Sequence, residues 1–280
     1  MSNIVLDEPR GILRPRAGAQ VFSLERPLPT APDLAAFIEH YWIVRWDLRG
    51  RPPYLQETLP HPTVHLVLDP PESRIFGVVT ARFARRIEGA GQALGVKFRP
   101  AGFFPFARRP VCDFTDRTVP ISDVLSGDAL ALERAVLAQG DTAAQVALVE
   151  AFLRADLPPP DPTVLLLAGV VDLARDDRAI ARVEELAERA GVNARTLQRQ
   201  FRRYVGVSPK WVIRRYRLHE AADRLAGGEA VDQGALAHEL GYFDQAHFIK
   251  DFTALIGRSP GSYAAECSAE DGGSRRHSTK

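Results

Sequence analysis

The chain has 280 residues, 45% of them apolar and 25% charged, and its 36 basic side chains nearly cancel 35 acidic ones, for a net charge of +1. Such a composition buries a core without metals or disulfides. With only Cys112 and Cys267, far apart, it leaves a disulfide scaffold or a zinc finger without support and suits a reducing cytosol.

At about 100–200 residues per domain there is room for two domains. The first residues, MSNIVLDEPRGILRPR, lack the continuous apolar run of a secretion signal. No later stretch approaches the ~18 uninterrupted apolar residues of a membrane span, so a soluble, cytoplasmic protein with no membrane partner is expected. Residues 1–110 are rich in Pro and Gly around short apolar runs such as 41–44 (YWIV), 64–68 (VHLVL) and 94–98 (LGVKF). In the last of these, Leu94, Val96 and Phe98 alternate with Lys97 and Arg99, the period-2 pattern of a half-buried strand. A small sheet or barrel is expected there.

Residues 129–155 turn helical, with a break at Gly140-Asp141. In the stretch 157–162 (LPPPDP), four of six residues cannot donate a backbone hydrogen bond. That stiff linker places a domain boundary at 156–162, after a β-rich domain over 1–155 with a helical end. Beyond it helices are expected near 163–175, 182–190, 194–204, 209–226, 232–240, 244–256 and 259–265, an all-helical domain over 163–265. The final residues 266–280 are small, polar and charged, and a disordered tail is expected. The fold class is therefore α+β.

An internal repeat carries the functional signal. Leu186-Ala187-x-x-x-Gly191 recurs as Leu236-Ala237-x-x-x-Gly241, and 51 residues separate Leu197 from Phe248, Phe201 from Phe252, and Gly206 from Gly257. Each unit reads as a helix, a glycine turn and a second helix capped by Asn193 or Asp244. That is the helix-turn-helix pattern, whose second helix enters the major groove. In the first unit Leu197, Phe201 and Tyr204 share one stripe, while Arg195, Gln198, Arg199 and Arg202 share the opposite one. Arg suits guanine and Gln suits adenine in the major groove. From Arg195 to Arg217 there are eight basic residues and no acidic one. Phosphate contacts are therefore expected from Arg202, Arg203, Lys210, Arg214 and Arg215, with Arg217 as a further candidate. In the second unit the corresponding stripe is Ala246, Ile249, Lys250 and Thr253, with Gln245 and His247 near the helix start. Residues 220–251 hold seven acids against Arg224 and Lys250, so the first unit is expected to dominate affinity. Tyr204, Trp211, Phe248 and Phe252 are expected in the core.

The stretches LAERAGVNARTLQRQFRRYVGVSP and LAHELGYFDQAHFIKDFTALIGRSPGSY, joined by a long helix with Arg217-Leu218 and Ala221-Ala222, resemble the AraC/XylS family of bacterial regulators over about Val183 to Tyr263. The resemblance implies a transcription factor with about seven helices and two helix-turn-helix units on successive major grooves of double-stranded promoter DNA. By position it places base contacts on Arg195, Gln198 and Arg199, and on Gln245, Ala246 and Lys250. The stretch GGEAVDQGA departs from the family pattern, with Gln233 and Gly234 at apolar positions. TLPHPTVHLVLD, GVVTARFARRIEG and LGVKFRPAGFFPF resemble an uncharacterised sensor-type domain. This implies a domain, commonly a cupin-like barrel in the family, for a small-molecule effector or for homodimer formation.

Other readings rest on fewer residues. Glu57, His61 and His65, with His40 nearby, have ligand chemistry suited to Zn, Fe or Mn. They lie around prolines in a strand-like region, with no second histidine cluster. A DNA-repair domain would need a reactive thiolate or a four-Cys zinc cluster, and Cys112 offers neither. No catalytic residue, metal ligand or cofactor is assigned, and the chain is not expected to be an enzyme. The alternative is a metal- or small-ligand-binding cupin-like protein with weak or accessory DNA binding.

Overall fold

A computed structural model describes Leu13, Gly18 and residues 21–70, 73–227 and 232–275. Residues 228–231, within the departing stretch GGEAVDQGA, and 276–280 lie outside the described residues, as does most of 1–20.

The N-terminal half is built on an antiparallel six-stranded sheet in the order β1 (Phe22–Glu25), β2 (Ile38–Asp47), β7 (Ala90–Phe98), β4 (His65–Leu68), β5 (Arg74–Phe76) and β8 (Thr118–Pro120). Strands β3 (Tyr54–Thr58) and β6 (Phe83–Ile87) form a separate two-stranded sheet. Alternation divides the faces of β2: Tyr41 and Ile43 are buried in the core, whereas His40, Trp42, Val44 and Trp46 line a cavity between the sheets. A register irregularity between Ile38 and His40 returns Ile38 to the core side. Leu94, Val96 and Phe98 are core residues as the alternation requires. The opposite face of β7 meets the cavity, where Lys97 binds Glu39 at 2.8 Å. Helices α1 (Pro32–Ala35), α2 (Phe104–Ala107), α3 (Ala129–Leu137) and α4 (Thr142–Arg154) complete this half. Asp128 and Asp141 cap α3 and α4 on either side of the expected break.

Seven helices follow: α5 (Pro162–Asp176), α6 (Val183–Arg189), α7 (Ala194–Gln200), α8 (Pro209–Ala226), α9 (Gln233–Glu239), α10 (Gln245–Ile256) and α11 (Pro260–Arg275). Their starts are set by side-chain caps: Asp161, Asn193, Ser208, Asp232 and Asp244 each accept a backbone N–H of the helix they precede. Gly191 and Gly241 hold φ of +65° and +78° in the two turns, a region that suits glycine. Two differences from expectation concern packing. One apolar cluster runs without a break from Leu34 and Tyr41, through Val164, to Leu197, Phe201 and Tyr216. The buried core thus continues across the proline stretch. The tail expected from residue 266 instead continues α11 to Arg275, because Tyr263 and Cys267, four residues apart, bury in a second cluster with Phe252 and Leu225. No helix among the described residues is long and apolar enough to cross a membrane.

Candidate nucleic-acid interface

Helix α7 is held by Leu197 and, one turn on, Phe201, both with no exposed surface. That orientation leaves Arg195, Gln198, Arg199 and Arg202 exposed on the other side. After Gln200 the backbone widens into a π turn over Phe201–Val205, and the Gly206 N–H donates to the Phe201 carbonyl at 2.8 Å. Here the N-terminal half grips the first unit. The Tyr204 ring packs tilted against Phe104 with centroids 4.0 Å apart, the Arg203 guanidinium lies 5.1 Å from the Phe104 centroid, and the Thr115 hydroxyl donates to the Gly206 carbonyl at 2.8 Å. Tyr204 and Trp211 are half-buried against the core rather than fully inside it.

Of the residues expected on phosphates, Arg202, Arg203, Lys210 and Arg214 are exposed, and Arg214 forms an ion pair with Asp251 of α10. Arg215 is not on the surface. It is 2% exposed, donates to the Thr80 carbonyl of the N-terminal half, and lies 4.4 Å from the centre of the Trp211 ring. Burial lowers its pKa to about 10, so the charge survives at neutral pH. Arg217 is buried as well. It donates to the carbonyls of Asp177 at 2.7 Å and Ile180 at 3.2 Å, beyond the end of α5. Counting basic residues along the chain missed this because α8 is enclosed on most sides, with Val212, Ile213, Tyr216, Leu218, Ala221 and Leu225 all buried.

In the second unit Phe248 and Phe252 are fully buried, while Gln245, Ala246, His247 and Lys250 are exposed. Ile249 and Thr253, the other members of the corresponding stripe, are half-buried. The two turns superpose in hydrogen bonding: Val192 N–H donates to Ala187 and Tyr242 N–H to Ala237, both at 3.0 Å. They differ in length, since Gly-Val-Asn leads into α7 and Gly-Tyr-Phe-Asp into α10. The N-terminal half grips this unit with charge and with Leu13 and Leu59, which bury in the cluster of Phe248 and Phe252. Glu57, 4% exposed, binds Arg82 and Arg258 at 2.6 Å each, and Arg82 also donates to the Ile256 carbonyl at 3.2 Å.

The residues of the metal reading are dispersed. Glu57 faces those arginines, and His61 packs on His219 with ring centres 4.6 Å apart. His65 accepts from the Trp42 indole at 3.2 Å, and burial lowers its pKa to about 3. Burial also lowers the pKa of His40 beside Glu39. Among the described residues no three His, Cys, Asp or Glu side chains cluster to share a metal ion. The cavity between the sheets is large, about 740 Å³, and has aromatic walls including Trp42, Trp46 and Phe83. Part of its lining comes from the helical half, through Asp172 and Arg175 of α5 and Tyr216 of α8.

Residues 26–120 match the model of a domain of unknown function (DUF6597), and residues 186–266 match that of a helix-turn-helix domain. A Streptomyces antibioticus protein named as an AraC-like transcription regulator is 33% identical over 113 residues, 37% of this chain and 37% of that protein. The HTH-type transcriptional activator RhaS of Pectobacterium carotovorum is 34% identical over 77 residues, 28% of this chain and 27% of its own. The chain thus spans about a third of the length of the curated relatives it matches. Among solved structures, a transcriptional regulator of the AraC-type DNA-binding domain class from Chromobacterium violaceum is similar over 37% of this chain and 92% of its own. Its identity is 21% and its TM-score 0.34. ToxT from Vibrio cholerae is similar over 87% of this chain and 94% of its own, at 10% identity and a TM-score of 0.38.

Proposed function

We propose that this chain, whose C-terminal region is an AraC-type helix-turn-helix domain, is a cytoplasmic transcription regulator that reads double-stranded promoter DNA mainly through α7. The observation that carries the proposal is the split of that helix. Leu197 and Phe201 are wholly buried while Arg195, Gln198 and Arg199 are exposed on a capped helix that follows a tight turn. Arg195 and Arg199 are suited to guanine and Gln198 to adenine, and Arg202, Arg203, Lys210 and Arg214 to the flanking phosphates. In the second unit Gln245, Ala246 and Lys250 make the weaker base contacts. Because the units differ, one chain reads an asymmetric site.

Modulation by the N-terminal domain is the second element of the proposal. The same domain holds both units and encloses the cavity, whose lining includes α5 and α8, so a small-molecule effector bound there touches both halves. Selection of bound duplexes from a random pool tests the main claim. The expected result is an asymmetric consensus with guanine at the positions nearest α7, with affinity falling steeply as salt rises. Enrichment of no sequence, with equal retention of every duplex, would leave the chain as a ligand-binding protein.

A further inference from the structure

Phe243 is 95% exposed, whereas the other exposed large apolar residues, such as Leu165 at 62% and Leu130 at 59%, keep a third or more of their surface covered. Its place is set by the longer turn of the second unit. Tyr242 takes the position of Val192, with the matching hydrogen bond, and Asp244 takes that of Asn193 as helix cap. Phe243 is the one extra residue between them. Both neighbours are anchored: the Tyr242 ring packs 5.4 Å from Phe248, and Asp244 accepts from the His247 N–H at 2.7 Å. The turn therefore projects Phe243 outward at the N-terminal rim of α10, next to exposed Gln245 and Ala246.

We infer that Phe243, with Ala246, is an apolar contact for thymine methyl groups, so that the second unit reads an A·T-rich half-site. The inference rests on the DNA-reading function proposed above. In the major groove thymine alone presents a methyl, which Phe and Ala side chains meet, while Gln245 is suited to the paired adenine. Charge cannot hold this rim on DNA, because Lys250 is the only Lys or Arg from 232 to 251, against Asp232, Glu239, Asp244 and Asp251. Apolar burial therefore adds to the few polar contacts of Gln245 and Lys250. It would also cover a phenyl ring that no other described element covers.

The test uses the full chain and its selected duplex, with thymines of the half-site protected by the second unit replaced by deoxyuridine, which lacks only the methyl. Wild type is expected to bind about fourfold more weakly for each contacted methyl removed, the factor that burial of one such group corresponds to. Phe243→Ala should weaken binding to the thymine duplex and lose the share of the deoxyuridine sensitivity that the ring supplies, leaving only that of Ala246, while Phe243→Leu keeps part of the ring's share. Thermal unfolding of both variants should match wild type, since the ring contributes nothing to the core. Equal wild-type affinity for both duplexes, or a full deoxyuridine penalty in Phe243→Ala, overturns the inference and leaves the reading by α7 intact. A change of oligomeric state in Phe243→Ala without altered deoxyuridine sensitivity assigns the ring to self-association instead. Failure of wild type to prefer any duplex overturns both readings.

Discussion

The first helix-turn-helix unit presents Arg195, Arg199 and Arg202 and is rooted in a core that continues into the N-terminal sheet. The second presents Gln245, Ala246 and Lys250, buries a separate cluster around Phe248 and Phe252, and meets the N-terminal domain through the ion pairs of Glu57 and through Leu13 and Leu59 in that cluster. Both use the same frame: a glycine turn, an Asn or Asp cap and two core side chains one turn apart. The difference teaches that the frame and the surface chemistry vary independently. Inward-facing positions stay apolar because packing demands it, although their size varies from Leu197 to Phe248 and from Val192 to Tyr242, whereas the outward stripe changes from basic to nearly neutral. The attachments differ too. Packed rings and a large shared core hold the first unit, and the ion pairs of Glu57 with a smaller apolar contact through Leu13 and Leu59 hold the second.

The largest expected effects come from cutting each unit's root. Phe201→Ala should cost about 3–5 kcal/mol and destabilise both halves of the molecule together, because its cluster spans them. Phe252→Ala should cost a similar amount, with the loss centred on α8–α11 and reaching the N-terminal half only around Leu13 and Leu59. Amide hydrogen exchange of the two variants separates these outcomes, and identical exchange patterns would erase the distinction between the units.

Glu57→Gln leaves Arg82 and Arg258 facing a neutral group and should cost about 2 kcal/mol. That is less than for a fully buried pair, since the Arg82 side chain is 36% exposed. Denaturant unfolding measures it, and protection of the second half-site should weaken before that of the first. Arg215→Ala should cost about 1–3 kcal/mol of stability through its lost carbonyl partner, with no change in the salt dependence of DNA binding. Arg202→Ala should do the reverse: unchanged unfolding, uniformly weaker binding to all duplexes, and a salt slope smaller by about one.

Much of this was legible from the residues. Period-3.6 spacing with Asn193, Ser208 and Asp244 at caps located the helix starts to within a residue or two, since capping and amphipathicity are local. Alternation found β7 but not what its second face meets, because a cavity is made by distant strands. The long helix α11 was hidden by the small polar residues after Glu266, and only the burial of Tyr263 and Cys267 explains it. Arg215 and Arg217 were misplaced for the same reason. A run of positive charge says nothing of which side of α8 another domain will cover. The extra residue in the second turn was visible as a shift from 50 to 51 in the repeat offset, but its near-complete exposure was not.

The central claim is that the exposed face of α7 reads bases, and Arg199 tests it most directly. Binding of wild type and Arg199→Ala should be compared across every single-base change in the selected half-site. The expected result is a loss of about 1–3 kcal/mol on the preferred duplex and indifference of the variant at one base pair only. A variant that binds the preferred duplex as tightly as wild type, with the same discrimination at every position, would contradict it.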